Sequence, residues 1–183
     1  MRLLNFVPLL VLLAPVAAPH SNAGTGLILQ ASEGERRVRR PPPSGVAALN
    51  VPLIIKVDRA NCGSSDFFMG YEDIPPGRGI ARHYHPHHDE ILFVHRGSGV
   101  ASLGEREATV TEGATIYIPP NTRVSLKNTG TKPLTVLFFF ADPAMSGYFR
   151  DVSVPEGQRA APFSTEEFAA VRARHRDEIV FEK

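Results

Sequence analysis

His83, His85 and Glu90 are the residues of this 183-residue chain whose types and spacing could do chemistry. Five of the seven histidines fall between His83 and His95. Successive residues of a strand point to opposite faces, so both imidazoles of an H-x-H pair project from one side. A carboxylate arriving from the next strand would complete a set of two nitrogens and one oxygen. That set suits a divalent transition metal such as Fe, Mn, Zn, Ni or Cu. Three donors on one face also leave coordination positions free for a substrate and O₂, as in non-haem iron oxygenases. Without an ion, the same residues would make a polar interior that hydrogen-bonds a ligand directly.

The spacing around them is specific. Gly77, His83, His85, Glu90 and Gly97 read G-x5-H-x-H-x4-E-x6-G. This resembles the first sequence motif of the cupin superfamily, and the chain is similar to a small single-domain cupin. The second cupin motif, G-x5-P-x-G-x2-H-x3-N, is matched at Gly113, Pro119 and Asn128. Asn121 stands at its glycine, a mild change because asparagine also tolerates a left-handed backbone. Val124 stands where a cupin places its last histidine, and valine cannot bind a metal. The resemblance therefore implies a cupin fold with a three-ligand centre. His87 and His88, on the adjoining loop, are the nearest candidates for a fourth ligand.

The elements that must position these residues are short β-branched and aromatic runs separated by turn residues, an all-β pattern. Strands are expected over 51–57, 67–74, 79–85, 90–95, 100–103, 106–110, 115–118, 124–128 and 134–140. The Pro75-Pro76-Gly77 and 128–133 segments carry turn chemistry. The resemblance implies a double-stranded β-helix, or jelly-roll barrel, over 51–142. On the strand from Glu90, the inward set is Glu90, Leu92 and Val94, which leaves His95 packed or on the surface. Val124 and Leu126 should give one wall an apolar character. Tyr117 and Arg123 are placed near the rim, with Arg123 read as a surface residue. Tyr71, Phe67 and Phe68 are read as core, and Phe138–Phe140 as a strand covered on both faces.

The ends of the chain differ from this pattern. Residues 1–23 read as a signal peptide: Arg2, an apolar stretch from Leu3 to Leu13, and a cleavage site at Ser21-Asn22-Ala23. An exported protein, periplasmic or secreted, is the expectation. Residues 24–50 read as a poorly ordered arginine- and proline-rich tether, with Arg36–Arg40 as a solvated charge run. Residues 143–183 form an extension in which Ser164-Thr-Glu-Glu167 is a capping box opening a short C-terminal helix over 164–176. That helix should lie outside the barrel or against a second subunit. Small cupins are commonly dimers, so the resemblance implies a homodimer.

The formal charge is +1, and Arg2 is the only charged residue in 1–23, so the remainder is neutral. Such a balance offers no electrostatic case for nucleic acid. The apolar stretch near the N-terminus is too short for a membrane span. Cys62 is the one cysteine and excludes an intrachain disulfide. A small-molecule ligand or substrate is the expected partner. The resemblance permits a dioxygenase-like enzyme on a small organic molecule. It equally permits a non-catalytic cupin that holds a ligand or metal for sensing, storage or transport, or a protein whose function is its oligomer contacts.

Overall fold

The structure, a computed structural model, describes residues 26–43 and 52–182. The leader expected over 1–23 lies outside the described residues. Strand β1 (Glu35–Arg39) comes first, then β2 (Pro52–Val57) and a one-turn helix α1 (Arg59–Cys62). Strands β3 (Phe68–Ile74), β4 (Gly79–Tyr84), β5 (Glu90–Arg96), β6 (Ser98–Leu103), β7 (Arg106–Thr111), β8 (Thr115–Ile118), β9 (Val124–Lys127) and β10 (Leu134–Phe140) follow. Helix α2 (Met145–Asp151), β11 (Ser153–Pro155), α3 (Thr165–Arg174) and β12 (Val180–Phe181) close the chain. A seven-stranded sheet in the order β11-β1-β2-β3-β10-β5-β8 faces a five-stranded sheet in the order β12-β4-β9-β6-β7. The pairings are antiparallel, and the fold is all-β, as the strand pattern predicts, and the jelly-roll that the resemblance implies.

Alternation along the strands builds the core between the sheets. Phe68, Gly70, Glu72 and Ile74 of β3 are buried while Met69, Tyr71 and Asp73 are only half-buried. Leu134, Val136, Phe138 and Phe140 of β10 are buried, and Phe138 and Phe140 pack against Phe68 and Phe149. Burying an aromatic side chain of this size contributes roughly 1.5–3 kcal/mol. The expectation of a strand covered on both faces at 138–140 needs correction, because Phe139 is half-buried on the outer side. Phe67 is also not core: it is 61% exposed in the loop before β3. Tyr71 faces outward and donates its hydroxyl to the Ala31 carbonyl at 2.8 Å.

Two turns show why the motif residues are what they are. Gly97 has φ +90°, and a Cβ there would lie 2.6 Å from the Pro133 carbonyl oxygen. Asn121 has φ 60°, the left-handed conformation that glycine would adopt without cost. Its amide also donates to the Pro86 carbonyl at 3.0 Å, and its backbone N–H to the His85 carbonyl at 2.7 Å. The replacement thus ties the 119–122 turn to the histidine loop. Asn128 is fully buried, donating to the Ile74 and Lys132 carbonyls and accepting from the Gly130 N–H.

The N-terminal arginine run is not a solvated tether. Strand β1 pairs with both β2 and β11 and is part of the larger sheet. Arg37 is buried, donating to Ser153 and to the carbonyls of Arg150 and Ser153. Sequence composition suggested a tether because it does not show that helix α2 and strand β11, 113 and 116 residues away, supply the acceptors. Arg150 in turn pairs with Glu35 and with the fully buried Asp58, which caps α1.

The C-terminal extension is also more than one helix. The capping box at Ser164 and Glu167 is present, and α3 runs over Thr165–Arg174. Helix α2 was not foreseen. It is seven residues long, holds Gly147 and has no side-chain N-cap, so its burial of Met145, Tyr148 and Phe149 supplies what local signals lack. Among the described residues no helix is long and apolar enough to cross a membrane.

Candidate metal centre and ligand cavity

Strand β4 and its continuation turn His83 and His85 inward, and β5 brings Glu90 to the same point. All three are buried. Their ligand atoms lie within 4.8 Å of one another. The two imidazole rings stand edge to face, with centroids 5.0 Å apart. Sequence reasoning thus identified three side chains that the fold does bring together, and the alternation on β5 leaves His95 exposed on the opposite side.

The hydrogen bonds fix which ring nitrogen faces the cluster. Nδ1 of His83 donates to the Ala81 carbonyl at 2.8 Å, and Nδ1 of His85 donates to the Glu178 carbonyl at 2.7 Å. A carbonyl oxygen only accepts, so each Nδ1 carries the proton and each neutral ring presents a lone pair at Nε2. Nε2 of His85 then meets Glu90 Oε2 at 3.1 Å. Two acceptors at that distance need a shared proton or a cation between them. Burial holds the His83 imidazole below its ordinary value, against the opposing pull of Glu90, which keeps its lone pair available. This donor set fits a divalent transition metal.

His88 is buried, with Nδ1 3.3 Å from Asp142 and its ring 4.9 Å from that of His85. It is not one of the three clustered side chains. Burial lowers its pKa as well. His87 is exposed. Val124 is buried, aligned with His83 in the β4–β9 register, and belongs to the hydrophobic core. The expected apolar wall exists, but other residues make it.

That wall belongs to a cavity of about 570 Å³, lined by His83, His85 and Glu90 together with Phe138, Phe140, Phe149 and Phe181. Tyr148 lines it too, and burial pushes its hydroxyl up to about 12, so it remains a neutral phenol. Val124, Tyr117 and Arg123 are not among the lining residues. Tyr117 is exposed and donates to Asp89, while Arg123 pairs with Glu182. A second cavity, of about 470 Å³, lies on the outer face of the larger sheet beside Tyr71 and His95, remote from the cluster.

Several residues at the cavity escaped sequence reasoning. Arg39 and the buried Glu72 pair at 2.9 Å on its wall. Glu72 falls on the inward register of β3, between Gly70 and Ile74, so a charged residue at a core-facing position was the available signal. The C-terminal residues had no local signal. Strand β12 pairs Phe181 with His83 and Val180 with Tyr84, and the Phe181 ring lies 5.5 Å from that of His83. Glu178 orients His85 through its backbone carbonyl, which carries no side-chain identity at all.

Comparison with known proteins agrees with this architecture. The family model of the cupin domain matches residues 70–140. The tetracenomycin polyketide synthase protein TcmJ of Streptomyces glaucescens is 27% identical over 79 residues, 43% of this chain and 53% of that one. Protein SchB of Streptomyces halstedii is 28% identical over 55% of this chain and 72% of its own length. The chain thus spans about half the length of the first of these relatives. Among solved structures, a protein of Thermotoga maritima described as a predicted oxalate decarboxylase aligns with TM-score 0.54 at 18% identity, over 63% of this chain and 98% of that one. An RmlC-like cupin from Shewanella frigidimarina aligns with TM-score 0.51 at 11% identity, over 69% of this chain and 98% of that one. At such identities the structural likeness concerns the fold alone. Motif, strand order and family match together identify residues 70–140 of this chain as a cupin domain.

Proposed function

We propose that the protein is a metal-dependent cupin enzyme acting on a small, largely apolar organic molecule, with dioxygenase-like chemistry. The observation that carries this reading is the convergence of two imidazoles and one carboxylate, with ligand atoms within 4.8 Å of one another, on the wall of an aromatic cavity. A metal held by His83, His85 and Glu90 would supply Lewis acidity and, if redox-active, a place to order O₂ beside the substrate. The chain's own residues do the rest. The carbonyls of Ala81 and Glu178 hold the imidazoles in the ligating tautomer. Phe138, Phe140 and Phe149 exclude water and present flat apolar surface to a ring-sized substrate. The polyketide context in one relative's name supports an organic ligand rather than an inorganic one.

Val124, in place of the usual last histidine, favours a second reading in which the cavity holds a ligand without turnover. Elemental analysis of untagged protein, followed by oxygen-uptake screening of aromatic and polyketide-like compounds, separates the two. One equivalent of metal per chain with substrate-dependent oxygen uptake supports the enzyme. A metal-free protein that still binds such compounds supports the carrier. Export belongs to the same proposal: a mature chain beginning at Gly24 in the extracytoplasmic fraction supports it, and an intact N-terminus in the cytosol overturns it.

A further inference from the structure

We propose that the ligand of this cavity is an apolar or aromatic anion, and that Arg172 receives its charged end. The inference deepens the reading of the cavity as a substrate site beside a metal centre, and rests on it.

Four arginines line the cavity: Arg39, Arg40, Arg78 and Arg172. Arg39 is neutralised by Glu72 and Arg40 by Glu167. Neither Arg172 nor Arg78 forms an ion pair with a carboxylate among the described residues. Arg78 is exposed in the turn before β4, with no side-chain hydrogen bond among those residues. Arg172 is exposed as well, but its guanidinium is held in place. It lies against two aromatic rings, 5.9 Å from the Phe168 centroid and 5.5 Å from that of Phe181. One Nη2–H donates to the Phe181 carbonyl at 2.9 Å. A guanidinium has five N–H donors, so the remaining edge is available to a carboxylate or similar oxyanion, for which its planar fork is suited.

Phe181 also connects this cation to the candidate metal centre. The ring that touches the Arg172 guanidinium is the one whose centroid lies 5.5 Å from that of His83. A ligand lying along Phe181 would therefore have its anionic end at Arg172, its apolar body against the phenylalanines, and its far end near His83, His85 and Glu90. Fixing Arg172 beforehand reduces the side-chain ordering that binding would otherwise cost. The C-terminal extension thus supplies both the cation and the ring that aligns the ligand.

The test uses 1-naphthoate and its neutral isostere 1-naphthamide as probes, titrated calorimetrically into the full chain loaded with Zn²⁺ and into chelator-stripped protein. Elemental analysis accompanies each sample. The expected result is that naphthoate binds at least about tenfold more tightly than naphthamide. Arg172→Gln should remove that preference while leaving naphthamide affinity within about twofold and metal content unchanged. Equal affinities for the two probes in the unaltered protein overturn the proposal, as does the absence of naphthoate binding at millimolar concentration. A preference that survives Arg172→Gln but vanishes on metal removal also overturns it, because the carboxylate then binds the metal. A preference that needs Arg172 in protein containing no metal upholds this inference while the metal reading fails. If Arg172→Gln loses both probes, Arg172→Lys decides: a retained preference supports the assignment, and none overturns it.

Discussion

Nε2 of His85 stands 3.1 Å from Glu90 Oε2 while its Nδ1 is committed to the Glu178 carbonyl. One ring is thereby oriented from the C-terminal extension and aimed at a carboxylate from β5 of the facing sheet. Removing the carboxylate charge should weaken metal binding without disturbing the ring. Glu90→Gln is expected to lower metal affinity about 10- to 100-fold, and His85→Ala by more, measured by competition with a chromophoric chelator. Val124→His, aligned with His83 across β4 and β9, should tighten binding if its ring reaches the ion.

Arg150 joins the N-terminal strand to the first helix through Glu35 and Asp58, the latter 2.5 Å away and fully buried. Arg150→Ala leaves that carboxylate without its cation. A loss of about 3–5 kcal/mol is expected from urea denaturation. Arg36→Ala, which breaks only the half-exposed pair with Glu156, should cost less than about 1 kcal/mol.

Asn121 occupies a left-handed position that a β-branched residue adopts only with strain. Asn121→Val should destabilise by about 1–3 kcal/mol and loosen the Pro86–Asp89 loop, read as faster hydrogen exchange there. Asn121→Gly should be close to neutral, because glycine gains conformational fit while losing the bond to the Pro86 carbonyl.

Acid should destabilise the fold through Glu35 and Asp151. Burial raises each pKa, but the ion-pair partners outweigh it: Arg150 and Arg37 at Glu35, His175 and Arg174 at Asp151. Both folded values therefore lie below the ordinary carboxylate values of 4.5 and 3.8. The unfolded chain then binds more protons, so stability rises with pH across this window. The contribution is present above the unfolded values and is lost as pH falls through the folded ones. Melting temperatures from pH 6 down to about pH 2 should show this decline, and Arg150→Ala should flatten the part due to Glu35.

Sequence alone determined the three converging side chains, the order of the barrel strands from β3 to β10, the turn at Asn121 and the capped helix at Ser164. Each is encoded within about a dozen residues: strand alternation sets the faces of His83, His85 and Glu90, and turn chemistry sets their separation. Tertiary structure decided what surrounds them. Arg37 and Arg39 read as solvated charge because their partners, Ser153 and Glu72, lie far along the chain. Strand β12 is two residues long and exists only by pairing with β4, so no local pattern announces it. Phe181 reaches the cavity through that pairing, and its carbonyl holds Arg172 of α3 there. A ligand set can be carried by periodicity over a short stretch, whereas an enclosing wall needs long-range pairings, whose partners a local pattern does not specify.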